Sequence, residues 1–477
     1  MLISVQNIFS GQLSAVSGQH LEIELPLSKS ESNRALMIMH YAELHNLKTS
    51  KLQNQSNLAT HQLSNLISLS NSDDTVLLLK HLNKLSEYVK KPSSLPLTLD
   101  CHNAGTVFRF LMTAVANECI IHNVELQKLK ISKSQSHSNS ATLQHSILLT
   151  GSERMKLRPI SSLVEALRSL GVSIEYTEKE GYPPVLLSYT DYKDLHGFLL
   201  SCNTSDTRDM PRLEISAEQS SQFASSLLFA APLWKNGLAL HLTGNLSSLP
   251  YIDMTINMMR QCGIDVSRDD RDIIVMPGAY NVENIKVEPD WSAAAFWYEM
   301  VSLSDGAEVL LKNLNINSLQ ADVAAIKMFE WLGVETIAME NGVIVRKTTR
   351  QQDNKTTSFN FKDCPDLFPA VIAACAGNRV NATFTGLKNL SIKESDRKRA
   401  MINELMKINI TFENVSDDEM KMFCPDELSC FTEENPIIFN NYEDHRIAMA
   451  LSVLTMKIGT ISMENVEVVS KSYPGFF

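Results

Sequence analysis

Apolar positions recur with a helical period in some stretches of this chain and alternate in others, and the two follow each other in a fixed order. Leu163-Val164-Glu165-Ala166-Leu167-Arg168-Ser169-Leu170-Gly171-Val172 carries the i, i+3, i+4, i+7 spacing of an amphipathic helix and ends at a glycine. It leads into a strand at Ser173–Tyr176. Met254–Gly263 followed by Ile264–Val266 repeats the pattern, as does Ala324–Gly333 followed by Val334–Ile337. Arg399–Ile408 followed by Ile410–Phe412 is a fourth copy, with Asn409 in place of the glycine. Gly and Asn both tolerate the left-handed conformation that ends a helix, so the exchange is physically coherent. The copies lie roughly 70 to 90 residues apart, long for a solenoid repeat but enough for a compound α/β unit. The pattern predicts an internally repeated α/β protein.

A second class of stretch is an apolar run: Ala35–Met39, Val107–Val115, Phe223–Leu233 and Ile447–Met456 read as helices. A short alternating run, Leu21–Pro26, reads as a strand before the first of them, and Asp253–Arg260 reads as a helix introduced by Ser248-Leu249-Pro250-Tyr251. Two Ser/Asn-rich tracts, about 45–72 and 128–145, lack the apolar content to cover a core and are expected to be surface loops, the leucines of the first allowing a short helix.

Length and charge narrow the picture. A chain of 477 residues exceeds one typical core, so two domains are expected. The net charge of −11 argues against a nucleic-acid partner, and any anionic ligand must meet cations concentrated locally. Eight scattered cysteines without a C-x-x-C pair suit neither a disulfide framework nor a zinc site. No apolar run approaches the ~20 residues that span a bilayer, and Met1–Val5 does not open a signal peptide. A cytoplasmic protein without a membrane partner is expected.

Candidate chemistry gathers where turns enter helices. Ser28-Lys29-Ser30-Glu31-Ser32-Asn33-Arg34 joins the first strand to the first apolar helix, and helix N-termini offer unpaired N–H groups to phosphates and carboxylates. Asn103-Ala104-Gly105-Thr106 before Val107 is a second such turn, with Gly105 leaving room for close approach. Arg154-Met155-Lys156-Leu157-Arg158-Pro159 places three cations within five residues. Ser220-Ser221-Gln222 opens another helix, and Glu288-Pro289-Asp290-Trp291-Ser292 another. Lys393-Glu394-Ser395-Asp396-Arg397 is the densest cluster, its Lys393 and Arg397 four apart and on one face if the helix starts that early. Asp444-His445-Arg446 and Lys471-Ser472-Tyr473-Pro474 complete the series. Each alone reads as readily as a cap or a solvated charge. Together they put Ser-, Gly- and Asn-flanked cations at successive turn-to-helix junctions.

In this order the motifs S-K-S-x-S-N-R, N-A-G-T-x-x-R, R-M-K-x-R-P, S-S-Q, S-x-P-Y-I-D, E-P-D-W-S, P-D-L, K-E-S-D-R, D-H-R and S-K-S-Y-P resemble the 5-enolpyruvylshikimate-3-phosphate synthase family of enolpyruvyl transferases. The resemblance covers nearly the whole chain outside the two polar tracts. It implies a two-domain, internally repeated α/β (α+β) fold, each domain three βαβαββ units. One domain would be 1–28 plus 289–477, the other the inserted 29–288, with the active site in the cleft between them.

The reaction it implies joins phosphoenolpyruvate to the 5-hydroxyl of shikimate 3-phosphate, releasing phosphate, in chorismate and aromatic amino acid biosynthesis. No cofactor and no metal are implied: the C–O bond breaks and phosphorus is not attacked, so the Mg²⁺ apparatus of phosphoryl transfer is not required. By resemblance, Lys29, Asn103, Gly105, Arg154, Gln222, Arg397, Arg446 and Lys471 hold phosphoenolpyruvate. Lys29, Ser30, Arg34, Ser220, Ser221, Gln222, Ser248, Tyr251, Asp366, Asn389 and Lys393 hold shikimate 3-phosphate. Asp366 accepts the hydroxyl proton, and Glu394 and Lys29 are the candidates for moving protons at C3; a helix N-cap is the plain alternative for Asp366. The family also implies a monomer and inhibition by glyphosate. Leu27, His102 and Ala321 depart from residues common in the family, though none of them removes a charged ligand. Rival readings are a UDP-N-acetylglucosamine enolpyruvyl transferase and a non-catalytic anion-binding paralogue.

Overall fold

The computed structural model describes residues 3–4, 21–50, 67–91, 93, 95–132, 146–188, 210–216, 220–348 and 357–477. The chain divides into two compact units. One comprises Met1–Lys29, Ser70–Asp73 and Val287–Phe477, the other Ser30–Leu69 and Asp74–Lys286. No helix among the described residues is long and apolar enough to cross a membrane.

One motif builds both units. In the second unit, the strand Leu97–Asp100 leads through the helix Gly105–Ser132 to a parallel neighbour, Ser146–Thr150. The helix Ser161–Ser169 then leads to an antiparallel pair, Ser173–Tyr176 and Val185–Ser188, the latter against Ser146–Thr150. Arg212–Ser216, Ser221–Ala230, Leu238–Thr243, Leu249–Gln261, Val266–Asp269 and Asp272–Val275 repeat the order with the same pairings. In the first unit, Thr357–Asn360, Phe368–Gly377, Ala382–Thr385, Arg397–Leu405, Thr411–Asn414 and Glu419–Phe423 do so again. Another copy there is discontinuous. Its first strand, Leu21–Ile23, pairs in parallel with Glu308–Lys312, and the helix between them in the motif, Trp291–Leu303, arrives only after the other unit has been threaded. These are βαβαββ units.

The two patterns in the sequence mark the two helices of each unit. The four helix–turn–strand copies are the amphipathic second helices, and their turns need positive φ: Gly171 +87°, Gly263 +84°, Gly333 +75° and Asn409 +64°. The apolar runs are the first helices, buried around their circumference. Ala35 through Met39 are fully buried in the helix Lys29–Ser50, as is nearly all of Phe223–Ala230. In the first unit, Trp291–Leu303, Phe368–Gly377 and His445–Val453 pack pairwise against one another as the core.

Helix reaches into both polar tracts expected to be loops. The helix Lys29–Ser50 runs to residue 50 and the helix Gly105–Ser132 to residue 132, since neither flank holds the Gly or Pro that would stop it. Of the expected loops, 51–66 and 133–145 lie outside the described residues, and 67–72 holds no helix or strand. The helix Asp73–Lys90 follows the first tract; its buried Leu78, Leu82 and Leu85 form a stripe.

Candidate functional site

In the first unit, the three packed core helices bring their N-termini together, each with an acidic residue at or just before its start. Asp290 caps Trp291–Leu303, accepting from Ser292 N at 2.7 Å and Ala293 N at 3.3 Å. Asp444 caps His445–Val453, accepting from Arg446 N at 3.0 Å. Asp366 precedes Phe368–Gly377 in a 3₁₀ turn, Pro365–Leu367, but makes no cap; Leu367 holds that position without a side-chain bond. Its carboxylate faces cations instead. Oδ1 lies 2.7 Å from Arg397 Nη1 and 3.4 Å from Lys393 Nζ, and Oδ2 lies 3.0 Å from Arg446 Nη2.

Around this carboxylate the expected residues form one network. Arg397 is 1% exposed and also donates to Glu394 Oε2 at 2.9 Å and to Asp444 Oδ2 at 2.8 Å. Lys471 Nζ approaches Glu394 Oε1 at 3.6 Å. Lys393 and Arg397 do not share a helical face: the helix begins at Arg397, and Lys393 ends the 3₁₀ turn Lys388–Ile392, which carries the half-buried Asn389. They meet at Asp366 all the same. Lys29 opens its helix with its N–H 3.3 Å from Asp290 Oδ2, where the strand-to-helix link is held by Ser28 N to Glu288 O and Asp290 N to Pro26 O. Leu27 bridges Pro289 in that link.

The charges are tuned by this crowding. Burial would raise the Asp366 carboxyl, but Arg446, Lys393 and Arg397 outweigh it and hold it well below the ordinary range. Burial lowers Lys393, partly opposed by Asp366. Burial also keeps His445 neutral, with Lys29 and Arg446 acting the same way.

The second unit gathers its residues around three buried arginines, Arg34, Arg109 and Arg158. Arg34 is 2% exposed; it donates to Ser30 O at 2.8 Å, Tyr251 O at 3.0 Å and Thr255 Oγ1 at 2.9 Å. It thereby ties three expected residues, Ser30, Arg34 and Tyr251, to one another. Ser220 caps its helix, accepting from Gln222 N, and Ser221 is buried beside it. Gln222 bridges to the next turn, accepting from Arg109 Nη1 at 3.0 Å and donating to Thr106 Oγ1 at 2.7 Å. Gly105 leaves room there for two arginine side chains: a Cβ would lie 2.5 Å from both Arg109 Nη1 and Arg158 Nη1, and they would have to shift. Arg158 Nη1 also reaches Asn103 O at 3.4 Å. Of the three clustered cations, Lys156 pairs outward with Glu178 at 2.9 Å, Arg158 is buried and Arg154 is half-buried. Ser248 adopts φ +57° at its helix start and makes no side-chain cap.

The family model described as EPSP synthase (3-phosphoshikimate 1-carboxyvinyltransferase) matches residues 14–477. The chain belongs to the EPSP synthase family. It is 33% identical over 470 residues to the 3-phosphoshikimate 1-carboxyvinyltransferase of Bacteroides fragilis strain YCH46, covering 98% of this chain and 95% of that one. It is 29% identical over 475 residues to the protein of the same name from Photobacterium profundum, covering 98% and 96%. Among solved structures, an EPSP synthase from Acinetobacter baumannii superposes with a TM-score of 0.61 at 19% identity, covering 96% of this chain and 94% of that one, a likeness of fold.

Four residues that sequence reasoning left without a role lie beside the expected ones, two in each unit. Asp444 organises Ser395, Arg397 and Arg446; its place in D-H-R was the available signal. Arg109 and Arg158 flank Gly105, each closing a motif already singled out. Asp322 accepts from Ser292, and burial, with Asp366 nearby, pushes it up to about 7. Among the described residues no cluster of His, Cys, Asp and Glu has the arrangement of a metal site.

Proposed function

We propose that this chain transfers the enolpyruvyl group of phosphoenolpyruvate to the 5-hydroxyl of shikimate 3-phosphate, using residues of a domain of 1–28 plus 289–477 and of an inserted domain of 29–288. Family membership supports the reaction. The observation that carries the site assignment is Asp366, a carboxylate ringed by Lys393, Arg397 and Arg446. Both substrates are polyanions, and bidentate arginines with a mobile lysine suit them.

In the reaction, Asp366 takes the proton as the 5-hydroxyl oxygen attacks C2 of phosphoenolpyruvate, and C3 gains a proton from Glu394 or Lys29. The ketal phosphate formed then loses phosphate from C2 and a proton from C3, giving the enolpyruvyl ether. With its cations engaged, Asp366 is ionised but a weak base. Substrate phosphate and carboxylate that draw Arg397, Arg446 and Lys393 away would raise its pKa when a base is needed. Arg397, Arg446, Lys471, Arg154, Asn103, Gly105, Gln222 and Lys29 take phosphoenolpyruvate. Ser30, Arg34, Ser220, Ser221, Gln222, Ser248, Tyr251, Asn389, Lys393, Asp366 and Lys29 take shikimate 3-phosphate. We read the enzyme as a cytoplasmic monomer.

Asp366→Asn tests the assignment. Turnover should fall by ~10²–10⁴ while shikimate 3-phosphate still binds within a few-fold of the parent. Turnover and binding falling in proportion would make Asp366 a ligand and not the base.

A further inference from the structure

The reaction proposed above leaves Asp322, a buried carboxylate beside the Asp366 cluster, without a part. It lies in the 3₁₀ turn Ala321–Ala324 and is 3% exposed. Its Oδ2 accepts from the Ser292 hydroxyl, and its Oδ1 is buried without a hydrogen-bond partner among the described residues. Ser292 Oγ stands 3.2 Å from Arg446 Nη2, which is also 3.0 Å from Asp366 Oδ2.

Donor inventory fixes the direction of this chain. A guanidinium only donates, and a hydroxyl has one proton. Ser292 Oγ therefore accepts from Arg446 and must give its own proton to Asp322. The two hydrogens on Arg446 Nη2 are then both placed, one toward Ser292 and one toward Asp366. We propose that Asp322 is a positioning residue for the enolpyruvyl transfer, aiming the Arg446 guanidinium through the Ser292 hydroxyl; this rests on the reading of Arg446 as a phosphoenolpyruvate ligand.

The main chain around Ser292 is held by other groups. Asp290 caps its N–H, Gln320 Oε1 accepts from Trp291 N at 2.9 Å, and Gln320 Nε2 donates to Pro289 O at 2.8 Å. Asp322 thus grips the hydroxyl and not the helix. The charged and titratable groups facing it are Asp366 and Cys364 from the turn before Phe368–Gly377, Arg446 from His445–Val453 and Asp290 from the start of Trp291–Leu303. Oδ2 stays an acceptor in either protonation state, because a proton has room on Oδ1.

Asp322→Ala, Asp322→Asn and Ser292→Ala, assayed by phosphate release with each substrate varied, test the relay. Asp322→Ala and Ser292→Ala should raise KM for phosphoenolpyruvate on the order of tenfold and leave KM for shikimate 3-phosphate within about twofold. Asp322→Asn keeps an acceptor oxygen and should stay near the parent, and the double variant Asp322→Ala/Ser292→Ala should be no worse than either single one. Asparagine as damaging as alanine, a joint rise of both KM values, or multiplying effects would overturn the proposal. If the parent releases no phosphate, the reaction assignment fails by itself, and the ¹⁵N resonances of Arg446 decide the relay. Hindered Nη rotation in the parent and Asp322→Asn but averaging in Asp322→Ala and Ser292→Ala would uphold it; equal rotation in all four would overturn it.

Discussion

At Asp366 three cations converge on a carboxylate that does not cap the helix it precedes. A purely structural aspartate before a helix would spend its oxygens on backbone N–H groups, as Asp290 does in the same cluster. Glu299 shows the opposite use of a buried carboxyl. Both its oxygens are buried without hydrogen-bond partners among the described residues, and burial raises its pKa well above the ordinary range. The folded chain therefore keeps a proton there that the unfolded chain loses above pH ~4.3. Stability relative to Glu299→Met should fall as pH rises from that point, by up to about 1.4 kcal/mol per pH unit until the folded group ionises. Denaturant melts of both proteins from pH 4 to 8 check this, and a pH-independent difference would contradict it.

At the scale of elements, the site is a property of helix starts. The buried first helices of successive βαβαββ units carry one group of candidate residues at their N-termini: Lys29–Ser30, Asn103–Thr106 and Ser220–Gln222 in one set, Asp290–Ser292, Asp366 and Asp444–Arg446 in the other. The amphipathic second helices end in turns that fix the step to the next strand. Asn409, at φ +64°, should accept Gly with a change within about 0.5 kcal/mol, while Asn409→Ala should cost about 1–2 kcal/mol; thermal melts compare the two.

These elements differed in how legible they were. Four second helices were readable from spacing and their terminal Gly or Asn, because period and cap agree. The stripe Leu78, Leu82 and Leu85 of Asp73–Lys90 went unread beside a polar tract, although its spacing is helical. Gln222 joining Thr106 and Arg109, or Ser292 joining Asp322 and Arg446, could not be read, since these contacts span 30 to more than 100 residues and depend on how helices pack. Tyr442 and Glu443, at φ +53° and +55°, likewise showed no sign in the sequence; Asn440 and Asn441 side chains accept from their N–H groups just before Asp444.

For the whole molecule, an acidic chain assembles basic sites from segments far apart in sequence. Its net charge of −11 sits against Lys393, Arg397, Arg446 and Lys471 in one unit and Arg34, Arg109, Arg154 and Arg158 in the other. Neither set alone holds every residue assigned to the two substrates, so the account stands on both serving one reaction. The most direct measurement is phosphate release from phosphoenolpyruvate with either shikimate 3-phosphate or UDP-N-acetylglucosamine as acceptor. The account predicts release with shikimate 3-phosphate alone; release only with the sugar nucleotide, or with neither, would contradict it.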